Sequence, residues 1–223
     1  MKQTVKVHIL LASNSPRRRE LIQLTGWSFR VQPADVDESV LPGEPAEEYV
    51  LRLAETKARA VASQAAPGEL VVAADTTVAD GEEILGKPAD AAEARAVLAS
   101  LRGRVHQVYT ALAVFAPASG QLVTELAATD VPMREYTDAE IETYIATGDP
   151  FDKAGSYAIQ HPQFRPVEKL TGCYANVVGL PLCHLARAAT RLGAAAAENL
   201  PAACQNLLAY QCTVFDQVLK GEL

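Results

Sequence analysis

Hydrophobic and polar positions along this chain switch between two periods. Val5 to Ala12 is an aliphatic and β-branched run that stops at a Ser-Asn-Ser turn, which predicts a buried strand. Ser15 then stands as an N-cap before Pro16, and a helix is expected to about Thr25, with Gly26 ending it. Phe29 to Gln32 reads as a short strand leading to the acidic loop "PADVDES". From Pro45 to about Ala65, Tyr49, Val50, Leu53, Ala54, Ala58 and Val61 recur at helical spacing. Leu70 to Ala74 reads as a core strand ending at Asp75, and the Asp-Gly pair in "VADGEEIL" predicts a tight hairpin. Asp90 to Leu101 reads as a helix. Gln107 to Phe115 and Gln121 to Val131 read as strands joined at "PASG". Thr137 caps a helix to about Ala146, "TGDPFDKAGSYAIQ" is a loop leading into a short strand, and Leu180 to Leu192 is helical. Strands and helices alternate in the first half and hairpins follow, which predicts an α/β fold with a mixed sheet. Beyond Gly193 the composition becomes alanine-rich, with a helix expected from Leu200 to about Tyr210. The chain therefore divides into a domain over 1–193 and a helical extension over 194–223.

Composition narrows the function classes. The chain has 223 residues, 49% hydrophobic and 21% charged, with net charge −7. A general nucleic-acid binder is expected to be basic, so nucleic acid is not expected as a partner and any phosphate chemistry should be local. No uninterrupted apolar run approaches about 18 residues, so no membrane span is expected and the cytoplasm is the default location. Cys173, Cys183, Cys204 and Cys212 form no C-x-x-C pair and have no zinc-finger spacing with histidine, so they read as idle thiols. A Cys204–Cys212 disulfide is the alternative. His8, His106, His161 and His184 pair with no nucleophile at a recognisable spacing.

Three features break the pattern. "LLASNSPRRREL" places Arg17, Arg18 and Arg19 in the first turn of a helix, where the backbone dipole is already positive. Either the turn and its free N–H groups gather an anion, or the arginines form a solvated patch. The turn lacks the glycines and lysine of a P-loop. Asp75 closes an apolar strand, where α/β folds place ligands, and it fits a general base or a metal ligand as well as a turn residue. Lys57 falls on the apolar stripe of its helix, so it either snorkels out or points into a cleft. Lys87 precedes a proline and projects from a loop, and Asp35, Asp37 and Glu38 supply carboxylates for a hard cation. Each alone reads as surface charge. Together they are the parts of phosphoryl chemistry.

"LASNSPRRREL", "YVLRLAETKA", "AADTTV" with "GEEILGKP", "TGDPFDKAGSYAIQ" and "ANVVGLPL" occur in one order. Read jointly over about residues 5–193, they resemble the Maf family of nucleoside triphosphate pyrophosphatases. The resemblance implies an inosine-triphosphatase-like fold: an elongated mixed sheet flanked by helices, with two lobes and a central cleft. It implies hydrolysis between the α- and β-phosphates to a nucleoside monophosphate and pyrophosphate, with Mg²⁺ or Mn²⁺, and a homodimer. Under it Asp75 matches the proton acceptor, Ser13 and Arg17 the phosphate-proximal turn, with Arg18 assisting, and Lys57 and Lys87 the lysines facing the triphosphate. Glu38 is the expected metal partner beside Asp75. Arg17, Thr76 and Gln160 match the positions that separate subgroups, and Arg/Thr/Gln resembles the group acting on dTTP and UTP, modified pyrimidine nucleotides included. A subgroup acting on 7-methyl-GTP and a nucleotide-binding regulator of division without catalysis are the alternatives. His161 stands where the family has glycine, which bears on the shape of the base pocket.

Overall fold

The computed structural model describes residues 7–223, so Val5 and Lys6 of the first predicted strand lie outside the described residues. β1 (His8–Leu11) is buried at Ile9, Leu10 and Leu11, as an unbroken aliphatic run requires. α1 (Pro16–Gln23) starts where the Ser15 hydroxyl accepts from the Arg18 backbone N–H at 3.4 Å. β2 (Ser28–Val31) and α2 (Ala46–Ala60) follow, and α2 buries Val50, Leu53, Ala54 and Ala58. Then come β3 (Leu70–Asp80), β4 (Glu83–Leu85), α3 (Ala91–Leu101), β5 (Val105–Ala116), β6 (Gln121–Pro132) and α4 (Asp138–Ala146). α4 begins in a reciprocal cap between Thr137 and Glu140. The short α5 (Tyr174–Val178) precedes α6 (Leu182–Arg191), α7 (Leu200–Leu208) and α8 (Phe215–Lys220).

Two expectations are corrected. The strand carrying Asp75 does not end there. It runs to Asp80, because Thr76, Thr77 and Val78 are good strand formers and β5 pairs with it antiparallel from Val71 to Ala79. "TGDPFDKAGSYAIQ" leads into no strand. It forms two short 3₁₀ turns, Asp149–Asp152 and Ala154–Ser156. Gly155 sits there at φ 67°, so close to β3 that a Cβ would lie 2.8 Å from a Val78 methyl.

The sheet order is β2-β1-β3-β5-β6, with β4 added to the far end of β3. β1 pairs parallel with β2 and with residues 70–72 of β3, while β4 pairs antiparallel with residues 78–80. β5 fills one edge of β3, so β1 and β4 share the other and leave residues 73–77 without a strand neighbour there. Alternate residues go to opposite faces. Ile9, Leu11, Val72, Ala74, Leu112 and Val114 pack under α1, α6 and α7. Leu10, Val71, Ala73, Ala111 and Ala113 pack against α2. A second lobe forms where α3 and α4 cover Val78, Leu85, Val108 and Val131. The extension joins the first lobe: Trp27 Nε1 donates to the Ala195 carbonyl at 2.8 Å, and Leu200 and Leu208 enter its core. Among the described residues no helix is long and apolar enough to cross a membrane.

Candidate active site

The gap in the edge of β3 opens into a cleft of about 680 Å³ between the lobes. Its floor is built by three elements. β3 presents Asp75 and Thr76, α2 presents Lys57, and the turn between β1 and α1 presents Ser13. Asp75 is 6% exposed and Lys57 8%. Lys57 therefore does not snorkel. Its ammonium lies 2.5 Å from Asp75 Oδ1 and 2.6 Å from Glu38 Oε1, bridging the two carboxylates. A lysine is tolerated on an apolar stripe because two carboxylates meet it there.

The two carboxylates are pushed apart in acidity. Burial lifts the Asp75 carboxyl above the ordinary range, outweighing the Lys57 charge and hydrogen bond. Burial works the same way on Glu38, but Lys57 and the more distant Lys87 and Arg18 charges win, and Glu38 is held below its ordinary value. A raised carboxylate beside one locked as an anion is the pairing expected of a base and a charge partner. Glu38 comes from an exposed loop that α2 ties down. Tyr49 Oη donates to the Glu38 carbonyl at 2.9 Å, and Arg52 Nη2 to the Ser39 carbonyl at 3.0 Å. Of the loop's three carboxylates only Glu38 lines the cleft. The Asp37 carboxylate accepts instead from Ser39 N and Oγ in a local turn, and these hydrogen bonds hold its pKa below the ordinary aspartate value, while Asp35 is exposed outside the lining.

The three arginines take three different fates. Arg17 lines the cleft with no side-chain hydrogen bond among the described residues. Arg18 turns inward, its Nε donating to the Gly179 carbonyl at 2.8 Å, Nη1 to Ser13 Oγ at 3.3 Å and Nη2 to Thr76 Oγ1 at 3.0 Å. Arg19 bonds back to Asn14 of its own turn. Lys87 and Gln160 are exposed on the rim, and both line the cleft. His161 does not line it. Its Nδ1 accepts from the Phe164 N–H at 2.9 Å, and its ring meets Tyr144 edge-on. The remaining histidines are also outside the cleft lining.

Several contributors gave no sequence signal. Tyr49 read only as an apolar stripe residue, and nothing in "VHQVYTALAVF" marks Thr110, which is buried behind Thr76. Lys153 lines the cleft but ion-pairs with Asp149 and Asp152 of its own turn. The four cysteines gather at one small apolar pocket, where the extension meets α5 and α6. Burial pushes the Cys173 and Cys183 thiols up to about 12 and Cys204 to about 11, as expected of packing thiols, and all four are free.

As a test of a metal, no three His, Cys, Asp or Glu side chains cluster at ligand spacing among the described residues. Two carboxylates do converge, because one ammonium holds both, and each has one oxygen outside that contact. Two carboxylates completed by substrate oxygens are a donor set that suits Mg²⁺ or Mn²⁺.

Comparisons with known proteins give the chain a family. A family model described as "Maf-like protein" matches residues 8–192. The dTTP/UTP pyrophosphatase of Anaeromyxobacter dehalogenans is 50% identical over 187 residues, covering 83% of this chain and 94% of that protein. Those of Citrifermentans bemidjiense and Geotalea uraniireducens are 48% and 47% identical, covering 83% and 85% of this chain and 96% and 97% of theirs. The Ham1 protein of Staphylococcus aureus superposes with a TM-score of 0.39 at 18% identity, over 56% of this chain and 71% of that chain.

Proposed function

The chain belongs to the Maf-like family, and we propose that its cleft hydrolyses dTTP and UTP to the nucleoside monophosphate and pyrophosphate. The observation that carries this reading is the buried Asp75, raised by desolvation and held by Lys57 against Glu38 at the foot of a nucleotide-sized cleft. Sequence likeness to relatives of that name supports the substrate class.

Arg17 and Lys87 both line the cleft, without a side-chain partner among the described residues, and would meet the phosphates there, and the turn at Ser13 adds polar groups at a helix start. Lys57 orients Asp75 and leaves Oδ2 free to accept a proton. Water attacks the α-phosphorus, its proton passes to Asp75, the bond to the bridging oxygen breaks, and pyrophosphate leaves. A raised carboxyl is the better acceptor for that proton. A divalent cation held by Glu38 and Asp75 would neutralise triphosphate charge. Arg17, Thr76 and Gln160 line one cleft and form the proposed specificity set, with His161 outside that lining. A cytoplasmic homodimer is part of the same reading, and light scattering of the purified protein tests the assembly.

The experiment is pyrophosphate release from a nucleotide panel with Mg²⁺ or Mn²⁺. Turnover of dTTP and UTP is expected, with Asp75→Asn lowering it about 10³-fold. Normal turnover in Asp75→Asn would sink the mechanism. Comparable turnover of 7-methyl-GTP would defeat the subgroup assignment, and binding without release would favour the regulator.

A further inference from the structure

Glu38 enters the cleft on a segment that is neither helix nor strand. Residues 32–45 connect β2 to α2, and Val40 and Leu41 in this loop stand exposed. Burial therefore does not fix the stretch beside Glu38, and an exposed loop left to itself samples many conformations.

Arg52 of α2 grips it instead. Its Nε donates to Glu44 Oε1 at 2.5 Å and its Nη2 to Glu44 Oε2 at 2.7 Å, a two-pronged pair. Nη2 also donates to the Ser39 carbonyl at 3.0 Å. Glu44 passes the hold on. Its Oε2 accepts from the Leu41 N–H at 3.1 Å, and its own N–H donates to the Leu41 carbonyl at 3.0 Å. The guanidinium lies 5.6 Å from the centre of the Tyr49 ring, and Tyr49 Oη donates to the Glu38 carbonyl. One side chain thus holds the loop on both sides of Val40 and Leu41. Arg52 itself is outside the cleft lining.

Arg52 and Lys57 have separate tasks. Lys57 meets the Glu38 carboxylate, whereas Arg52 holds the backbone one residue further on. The Glu38 side chain is half exposed, and a single ion pair at such a place orders a loop weakly. A planar fork sets direction as well as charge, which an ammonium cannot do.

We infer that Arg52 is a positioning residue that braces the Glu38 loop, so that the Glu38 carboxylate stands beside Asp75 before a metal–nucleotide complex arrives. The inference rests on the pyrophosphatase reading and adds what aligns its second carboxylate. Without the brace, each binding event must first order the loop. Affinity for the divalent cation falls, while the reacting groups stay the same.

The test uses the full chain, unmodified and as Arg52→Met, Arg52→Lys, Glu38→Gln and the double variant Arg52→Met/Glu38→Gln. Mn²⁺ binding in the presence of α,β-methylene-UTP, followed by electron paramagnetic resonance, should weaken about tenfold in Arg52→Met. In pyrophosphate release from UTP the half-saturating Mn²⁺ should rise by a similar factor, with kcat at saturating metal moving less than about threefold. Arg52→Lys keeps the charge without the fork and should recover little of the loss. In the Glu38→Gln background Arg52→Met should add less than about twofold, because the brace acts through Glu38. Mn²⁺ affinity unchanged in Arg52→Met overturns the inference, and so does a tenfold loss in both backgrounds. If Arg52→Met does not fold, Glu44→Gln takes its place. It leaves the fork a neutral partner and should weaken Mn²⁺ about threefold, and no change overturns the inference. Hydrogen exchange reads the loop without catalysis: amides of residues 38–41 should exchange about tenfold faster in Arg52→Met, with those buried in α2 unmoved. Loop amides exchanging at the unmodified rate defeat the brace alone. No release from any nucleotide by the unmodified protein defeats the pyrophosphatase reading.

Discussion

Lys57 and Lys153 invite comparison. Each is 8% exposed, each lines the cleft, and each is held by two carboxylates. The difference lies in where the carboxylates come from. Asp75 is 18 residues from Lys57, on a different element, and Glu38 sits on a tethered loop. The ammonium of Lys57 contacts one oxygen of each and leaves the other to the cleft. Lys153 is bound by Asp149, four residues back, and by its neighbour Asp152. It also donates to the Asp149 carbonyl at 2.7 Å, so all three of its N–H groups are spent within one turn. A buried lysine closed by its own segment folds that segment. A buried lysine that gathers carboxylates from separate elements, with acceptor capacity left over, builds a site.

The largest effect that separates them is on turnover. Lys57→Met should lower pyrophosphate release by about 10²- to 10³-fold while the fold holds, since an uncharged Asp75 remains comfortable in its buried place. Lys153→Met should do the reverse. It leaves Asp149 without its cation in a part-buried turn and should cost about 2 kcal/mol of stability, with kcat per folded molecule changing little. Thermal unfolding and active-site-normalised turnover of the two variants check this. Equal loss of activity in both would break the distinction.

This contrast also marks how far the sequence was legible. Lys57 announced itself, because a charge on an apolar helical stripe violates the pattern that surrounds it. Asp75 did so for the same reason at the end of "LVVAA". Lys153 did not, because a lysine after aspartates in a Pro- and Gly-bearing segment looks like any solvated loop. The expectation that Asp75 ends its strand failed because the cleft is made by loss of strand partners on one edge, while the strand itself continues. Pairing of that kind is settled by elements far apart in the chain. Thr110 is invisible for a related reason: a threonine suits a buried strand by propensity alone. Its hydroxyl meets Thr76 only once β3 is beside it.

Acidity gives a second, smaller separation. Burial raises Asp75. Burial acts in the same sense on Asp149, but the Lys153 and Tyr144 hydrogen bonds prevail and hold it low. The base must be ionised to act, so activity should fade as pH falls through the raised Asp75 value, above the ordinary aspartate range. Asp149 stabilises its turn when ionised, so that contribution persists above its unfolded value of 3.8 and is lost only as pH falls further, through the depressed folded value. Whole-protein melting cannot report this cleanly. His106 and His184, held by burial near 4 instead of 6.5, also withdraw stability as pH falls from 6.5 toward 4. Carboxyl-carbon NMR titration resolves the two aspartates, and Asp149 titrating above Asp75 would reverse the comparison.

The smallest effect extends the rule to the arginines of α1. Arg19 bonds to Asn14 within its own turn, as Lys153 does within its segment, whereas Arg17 reaches the cleft without a protein partner among the described residues. A cation already satisfied locally has little left to give a triphosphate. One without a partner gains its first strong contact when phosphate arrives, at the end of a helix whose dipole otherwise opposes it. Arg17→Ala should therefore raise the KM for UTP about tenfold, and Arg19→Ala should change it by less than about threefold while loosening the turn slightly. Steady-state kinetics on the two variants measures both. An Arg19→Ala loss as large as that of Arg17→Ala would mean that the turn's shape, more than the cation facing the cleft, governs phosphate binding.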